Sequence, residues 1–330
     1  MLVLPVVFGL AGIGYMLWSE MSANNYSGGV SLSAHAWLFV LMLLCCIAIK
    51  DYCGMYRMRV MAGQPLRLGQ LFRIRMLYEF TNAATPSAAG GATLEMLFIH
   101  REGVKVSRAT AMTVLSLFMD ELMLVALFPI LIFTIGYDTL FSLNGAFSAS
   151  SASIFWIGYA VKLVWTSILF VGLFVKPQAI AYLIGWTVSV KPLRRWKFRA
   201  LRTAVEIKYC SREFRQQPAR FWTKMLASTA GVWCFKFLIA NAAIMIFNSL
   251  TFADNLVVFA RQYLIAIICM ITPTPGGSGF AEVMFSSYLG PYIQQSMSIV
   301  VIASVWRLAT YYYYLIAGVI ILPRWIKKKQ

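Results

Sequence analysis

Long apolar runs alternate with short polar segments along this chain. Six runs are long and uniform enough to predict membrane-crossing helices: 2–18, 36–53, 109–136, 152–175, 225–248 and 297–322. A hydrocarbon core needs about 20 helical residues. The first run is short and lacks the positive residues of a signal peptide, so it reads as a retained helix. Two further apolar stretches, 68–100 and 256–289, are interrupted at TPSAAGG (85–91) and TPTPGG (272–277). Proline stops a helix by removing a donor and clashing with the preceding turn, and glycine permits a reversal. Each half then reads as too short to span. Irregular backbone at membrane depth is tolerated only inside protein or beside a wet cavity. The two stretches are therefore expected to be re-entrant helical hairpins, with two kinked ordinary helices as the alternative.

The basic residues set an orientation. Segments 19–35, 137–151, 249–255 and 290–296 hold no Lys or Arg, whereas 50–75, 101–108, 176–224 and 324–329 hold 25 of the 29. Under the positive-inside rule the second group is cytoplasmic. With both hairpins re-entrant, from opposite sides, every loop falls on its expected side and both termini are cytoplasmic.

A gapless shift of 187 residues superimposes the two interruptions. Thr85/Thr272, Pro86/Pro273, Gly90/Gly277, Glu95/Glu282 and Phe98/Phe285 coincide, and Asp120 meets Arg307. Two hairpin-plus-helix units, 68–136 and 256–322, would form an inverted repeat within one transmembrane domain, 1–330. Transporters built this way place their site at the bilayer midplane, between broken helices. The alternative is that TP and GG pairs are simply common at helix breaks.

Composition agrees with a membrane class. The chain is 60% hydrophobic and 12% charged, with a net charge of +17, against about 25% charged in soluble domains. In a soluble protein that charge would suggest nucleic acid; here it follows the cytoplasmic bias, and no nucleic acid is expected. Six Cys without CxxC spacing and only His35 and His100 argue against a metal, and no cofactor is implied. Segment 176–224 carries twelve Lys/Arg and two acids. Apolar residues recur there at helical spacing, as in an amphipathic helix on the anionic inner leaflet.

Charges at membrane depth are expensive and usually functional. Glu95, Asp120, Glu121, Lys162, Lys236, Arg261, Glu282 and Arg307 all lie in apolar segments. Glu95 and Glu282 follow the glycine-rich tips, where a helix N-terminus would favour a carboxylate. The functional expectation is a polar midplane cavity with Glu95, Glu282, Asp120, Arg307 and Lys236 in contact with substrate. The structural alternative is that Asp120–Arg307 is an ion pair and the two Glu pin the bundle. Lys162 and Lys236 could also snorkel, and Arg261 could only reach the interface. The Tyr311–Tyr314 run suits packing or a wet helix face. Gly276-Gly277-Ser278-Gly279 has the GxSG form of intramembrane serine proteases, but no His follows His100 to act as base. No HExxH or P-loop occurs either, so no catalytic residue is assigned.

TPTPGGSGFAE (272–282) resembles the P-x-P-G-G-x-G-x-x-E hallmark of the lysylphosphatidylglycerol synthase transmembrane (flippase-like) family. PSAAGGATLE (86–95) is similar to its first glycine-rich signature. The likeness extends from about residue 40 to the end. It implies an all-α polytopic membrane protein of about six transmembrane helices plus two re-entrant hairpins. Pro86, Gly90, Gly91, Pro273, Pro275, Gly276 and Gly277 carry over as hairpin-motif positions, with Glu95 and Glu282. The family includes branches that move aminoacyl-lipids and others tied to polyprenyl-phosphate or glycolipid pathways. The expected function is a lipid translocase of the cytoplasmic membrane, without the soluble aminoacyl-transferase domain. Its partners would be membrane lipids, and a homo-oligomer is compatible with the sequence. A scaffold for a lipid-modifying pathway and an enzyme acting on lipid headgroups are the alternatives.

Overall fold

The computed structural model describes residues 32–63, 65–85, 88–142, 147–175, 214–270, 277, 279–293 and 296–327; the first predicted span, 2–18, and most of 176–224 lie outside them. The described residues form an all-α bundle. The helices are α1 (Ala36–Ala62), α2 (Leu68–Ala84), α3 (Ala88–Arg101), α4 (Val106–Ile135), short α5 (Tyr137–Phe141) and α6 (Phe147–Phe170, extended by a π-turn at Val171–Val175). They continue with α7 (Ala219–Met245), α8 (Phe252–Met270), α9 (Phe280–Leu289), α10 (Ser296–Arg307) and α11 (Tyr313–Lys327), with a π-turn at Leu308–Tyr312 joining the last two. Among the described residues, six segments are long and apolar enough to cross a membrane.

Five of these match predicted spans. The sixth, Phe252–Met270, corrects an expectation. It was read as half of a hairpin too short to span, yet its 19 residues reach roughly 28 Å at 1.5 Å per residue. Its neighbour α9 has only 10. In the first broken stretch α2 has 17 residues and α3 has 14.

Local chemistry explains several boundaries. Thr85, at φ −102° and ψ 140°, leaves helical geometry directly before Pro86, as the proline ring requires. Its hydroxyl donates to the Thr81 carbonyl at 2.6 Å. Gly63 closes α1 at φ 66°, in the left-handed region glycine adopts without penalty. Arg108 of α4 then donates twice to the Met61 carbonyl, at 3.1 and 2.9 Å. Pro129 lies inside α4 and deprives the Val125 carbonyl of its donor. The Tyr159 hydroxyl of α6 supplies the replacement at 3.1 Å.

Two large apolar cores lie at opposite ends of the bundle. One gathers the C-terminal half of α4 with α7, α8, α9 and α10. The other gathers the C-terminal half of α1 with α2, α3 and the N-terminal half of α4. Helices α1, α4 and α7 run through both. Where they pass between the cores they carry Lys50 and Asp51, Asp120 and Glu121, and Thr229. The polar seam is thus a layer between two oily blocks. Large apolar side chains also cover the outside: Phe133 is 89% exposed and Val161 63%, as a lipid-facing surface would be.

At one end of this bundle the α3–α4 turn is fastened to the last helix. Glu102 accepts from Arg73 at 3.0 and 2.9 Å and from the Trp325 indole at 2.7 Å. Burial pushes the Glu102 carboxyl up, but the Arg73 and Trp325 hydrogen bonds and the Arg73 charge outweigh it. The net effect holds it below the usual carboxylate range. A lowered folded-state value gives stability that is present above the unfolded value and lost as pH falls through the folded one. Thermal unfolding should show Glu102→Gln less stable than wild type at neutral pH, with the gap closing on acidification.

Close helix contact is equally testable. A Cβ on Gly318 of α11 would sit 2.1 Å from Cγ of Phe80 on α2. Gly318→Ala should cost about 1–3 kcal/mol by overpacking, read as a lower unfolding temperature. Gly290→Ala, whose nearest atom is a flexible methyl at 3.6 Å, should stay near wild type.

Candidate functional site

A cavity of about 290 Å³ opens within the polar seam, far above the roughly 10–15 Å³ that one water needs. Its wall draws on α1, α2, α4, α7, α8, α9, α10 and the π-turn, and on Thr85 and Gly277 at the two helix breaks.

Among the described residues, four ion-paired groups surround it. In the first, Lys50 lies 3.3 Å from Glu79 and 3.9 Å from Asp51, while Arg75 reaches Asp51 at 3.2 Å and Glu79 at 2.5 Å. The Tyr314 hydroxyl donates to Asp51 at 3.0 Å. In the second, Arg57 grips Asp120 with two hydrogen bonds of 2.6 and 2.9 Å, and the Trp233 indole donates to the same carboxylate at 3.0 Å. In the third, Arg307 donates to both Glu282 oxygens at 2.8 and 3.0 Å and to the Gly277 carbonyl at 3.1 Å. In the fourth, Lys162 meets Glu121 at 2.5 Å. Forked arginine–carboxylate pairs are the strong form of such contacts. Lys236 differs: among the described residues no carboxylate lies within 4 Å, and its ammonium sits 4.5 Å from the Trp233 ring centre.

Within the second break Gly277 is described. Its φ of 65° lies in the left-handed region, which leaves the carbonyl turned to Arg307. Arg307 is the last residue of α10 before the π-turn Leu308–Tyr312, a wide turn often found at functional sites. Arg307 thereby ties Gly277 and Glu282 to the end of α10.

The structure brings some expected site residues together and separates others. Asp120, Lys236, Arg307 and Gly277 line the cavity. Glu282 is fully buried behind Arg307. Glu95 is buried and acts electrostatically on Arg57, but does not line the cavity. Pro86, Pro273, Pro275 and Gly276 lie outside the described residues, and only the helical backbone is described at Gly90 and Gly91.

Three expectations are corrected. Asp120 pairs with Arg57, and Arg307 pairs with Glu282 instead. Glu95 is not near a helix N-terminus: α3 begins at Ala88, so the Gly90-Gly91 pair lies inside it and Glu95 falls about two turns in. Glu282, in the first turn of α9, does have that position. Arg261 is no interfacial snorkel. It is 3% exposed and donates to the carbonyls of Tyr288, Thr139 and Ser142 at 2.7–3.0 Å, tying the end of α9 to α5.

Lys50, Asp51, Arg57, Arg75 and Glu79 were missed. Lys50, Arg57 and Arg75 had been counted in a cytoplasmic basic loop, yet they are only 2%, 3% and 1% exposed. A signal was available. Lys50 and Arg57 are seven residues apart and Arg75 and Glu79 four apart, so each pair falls on one helix face.

The spacing of the third group illuminates the second. Glu282 and Arg307 are 25 residues apart. The same interval from Glu95 leads to Asp120. Where one half sets an acid against an arginine, the other sets acid against acid, and Arg57 of α1 supplies the cation.

Removing one member of a buried pair strands the other, at a cost of about 3–5 kcal/mol. Glu282→Gln should therefore destabilise the protein strongly in denaturation, and Glu282→Gln with Arg307→Gln should recover part of the loss. Non-additivity in that double-mutant cycle measures the pairing.

Comparison with known proteins now bears on the assignment. A UPF0104 membrane protein of Archaeoglobus fulgidus is 22% identical over 274 residues, covering 78% of this chain and 76% of that protein. The family model of the lysylphosphatidylglycerol synthase TM region matches residues 2–318. On that match, the chain belongs to the lysylphosphatidylglycerol synthase TM-region family.

Proposed function

We propose that this protein is a lipid translocase of the cytoplasmic membrane and not a bond-making enzyme. A headgroup enters the central cavity while its acyl chains remain in the bilayer. The broken stretch 68–100 acts as a re-entrant hairpin; in 256–289 the helix α8 is long enough to cross, and the break after it reaches the cavity through Gly277. Rocking about the breaks exposes the cavity to each leaflet in turn. Both termini face the cytoplasm, and segment 176–224 rests on the anionic inner leaflet.

One observation carries this proposal. The seam between the two apolar cores contains a roomy polar cavity walled by charged side chains from both halves of the chain. Pinning a bundle needs ion pairs but no such space. The pairs serve a second purpose in a translocase. They keep the cavity wall polar enough for a headgroup and neutral enough to persist at membrane depth. Arg307 links the second break to α10, so movement of the break repositions a cavity wall.

The test is to fill the cavity without breaking an ion pair. Ala266 of α8 lines it, and Ala266→Trp should occupy much of the space. In reconstituted vesicles, this variant should move a fluorescent glycerophospholipid between leaflets at least tenfold more slowly than wild type, while unfolding within a few degrees of it. Wild-type movement by a folded Ala266→Trp protein would contradict the proposal.

A further inference from the structure

Ion pairing leaves one acid and one base of the polar layer unmatched. Among the described residues, Lys50 and Arg75 hold Asp51 and Glu79, Arg57 holds Asp120, Lys162 holds Glu121 and Arg307 holds Glu282. Glu95 and Lys236 have no described partner of opposite charge within 4 Å. With both ionised, the acids and cations of the layer balance. Their surroundings differ. Lys236 lines the cavity, its ammonium 4.5 Å from the Trp233 ring centre. Glu95 of α3 is 2% exposed and set back from the cavity wall.

The groups that face Glu95 come from three helices. Helix α3 packs on α2 and α4. Arg75, Tyr78 and Glu79 of α2, Asp120 of α4 and Arg57 of α1 all interact with the Glu95 charge. Arg57 supplies the largest attraction. Yet both of its terminal nitrogens are committed to Asp120, at 2.6 and 2.9 Å. Its Nε is buried without a hydrogen-bond partner, and such an exception asks for a reason.

A carboxylate taken out of water without a partner is expensive, and such a group takes up a proton instead. Asp120 has no such need, because Arg57 and the Trp233 indole already donate to it. Arg57 stays charged throughout, since a guanidinium does not deprotonate in proteins. Two arrangements therefore suit the same neighbours. Protonated, Glu95 is a neutral group beside the Arg57–Asp120 pair. Ionised, it competes with Asp120 for Arg57, and the free Nε is the donor open to it. Arg57–Asp120 ties α1 to α4, and Glu95 sits on the first broken stretch. One proton thus acts on the contact between that stretch and the helices around it.

We propose that Glu95 is a proton-binding site whose ionisation draws Arg57 from Asp120 toward α3, coupling one proton to movement of the first broken stretch. The proton leaves the Glu95 carboxyl for water in the cavity by way of the Tyr78 hydroxyl. Tyr78 lines the cavity and interacts with the Glu95 charge. No other covalent bond is made or broken. The use of this proton in transport rests on the translocase reading above; the site itself does not.

Infrared spectroscopy of the detergent-purified full chain tests the site with no transport substrate present. A pH titration should show the carbonyl band of a protonated carboxyl that disappears reversibly as the pH rises. Glu95→Gln should lack that band. Glutamine has the shape of the neutral acid, so this variant should unfold within a few degrees of wild type. If it fails to fold, Glu95→Asp decides instead, and its band should persist at a shifted frequency. Identical titrations of wild type and folded Glu95→Gln would overturn the site. So would a Glu95 band that never titrates, or an unshifted band in Glu95→Asp.

Coupling is read separately in reconstituted vesicles. A gradient of about one pH unit should change the rate at which wild type moves a fluorescent glycerophospholipid, by up to about tenfold. Glu95→Gln should lose this response. A wild type that moves lipid indifferently to the gradient while Glu95 titrates would overturn the coupling. A wild type that moves no lipid while Glu95 titrates would overturn the translocase reading and leave the proton site standing.

Discussion

An ionised group inside a membrane bundle must find a partner, and this constraint shapes the structure more than any other. The apolar blocks could pack without Lys50, Asp51, Arg57, Arg75, Glu79, Asp120, Glu282 or Arg307. Once those residues are present, their charges have to meet. They do so in one layer, where α1, α4 and α7 cross from one core to the other. The pairs also join distant parts of the chain. Arg57 ties α1 to α4, Arg75 and Tyr314 tie α2 and α11 to α1, and Arg307 ties the second break to α10. Electrostatic necessity therefore settles which helices are neighbours in the polar layer.

The two halves solve the same problem differently. In the second half the acid and the arginine lie 25 residues apart. In the first half the matching positions hold Glu95 and Asp120, and the cation is borrowed from α1. Here one break is held by a forked ion pair and a backbone carbonyl. The other begins with an extended Thr85 and carries its acid deeper in the helix.

Much of the fold was legible because membrane helices announce themselves by uniform apolar runs, and five spans were placed this way. Thr85-Pro86 marked a true helix end, since proline acts on its immediate neighbour. The glycine pair at 90–91 misled, because two glycines in a helix supported by neighbours do not have to break it. The polar layer was partly legible: Asp120, Lys236 and Arg307 stood out against apolar surroundings. Lys50, Arg57 and Arg75 did not, because the end of α1 and the start of α2 are polar enough to pass for a loop. Pairing was the least legible of all. The choice of Arg57 over Arg307 for Asp120 depends on how helices far apart in sequence cross, and no local pattern encodes it.

The central claim is that the polar seam is a passage reached from both membrane faces in turn. Cys269 lines the cavity wall and can report on this as the one retained cysteine. A membrane-impermeant thiol reagent would be applied to either side of oriented vesicles, with and without an anionic glycerophospholipid in the membrane. The account predicts modification from both sides, with the balance between them shifted by the lipid. A Cys269 that reacts from one side alone under every condition, or from neither, would contradict it.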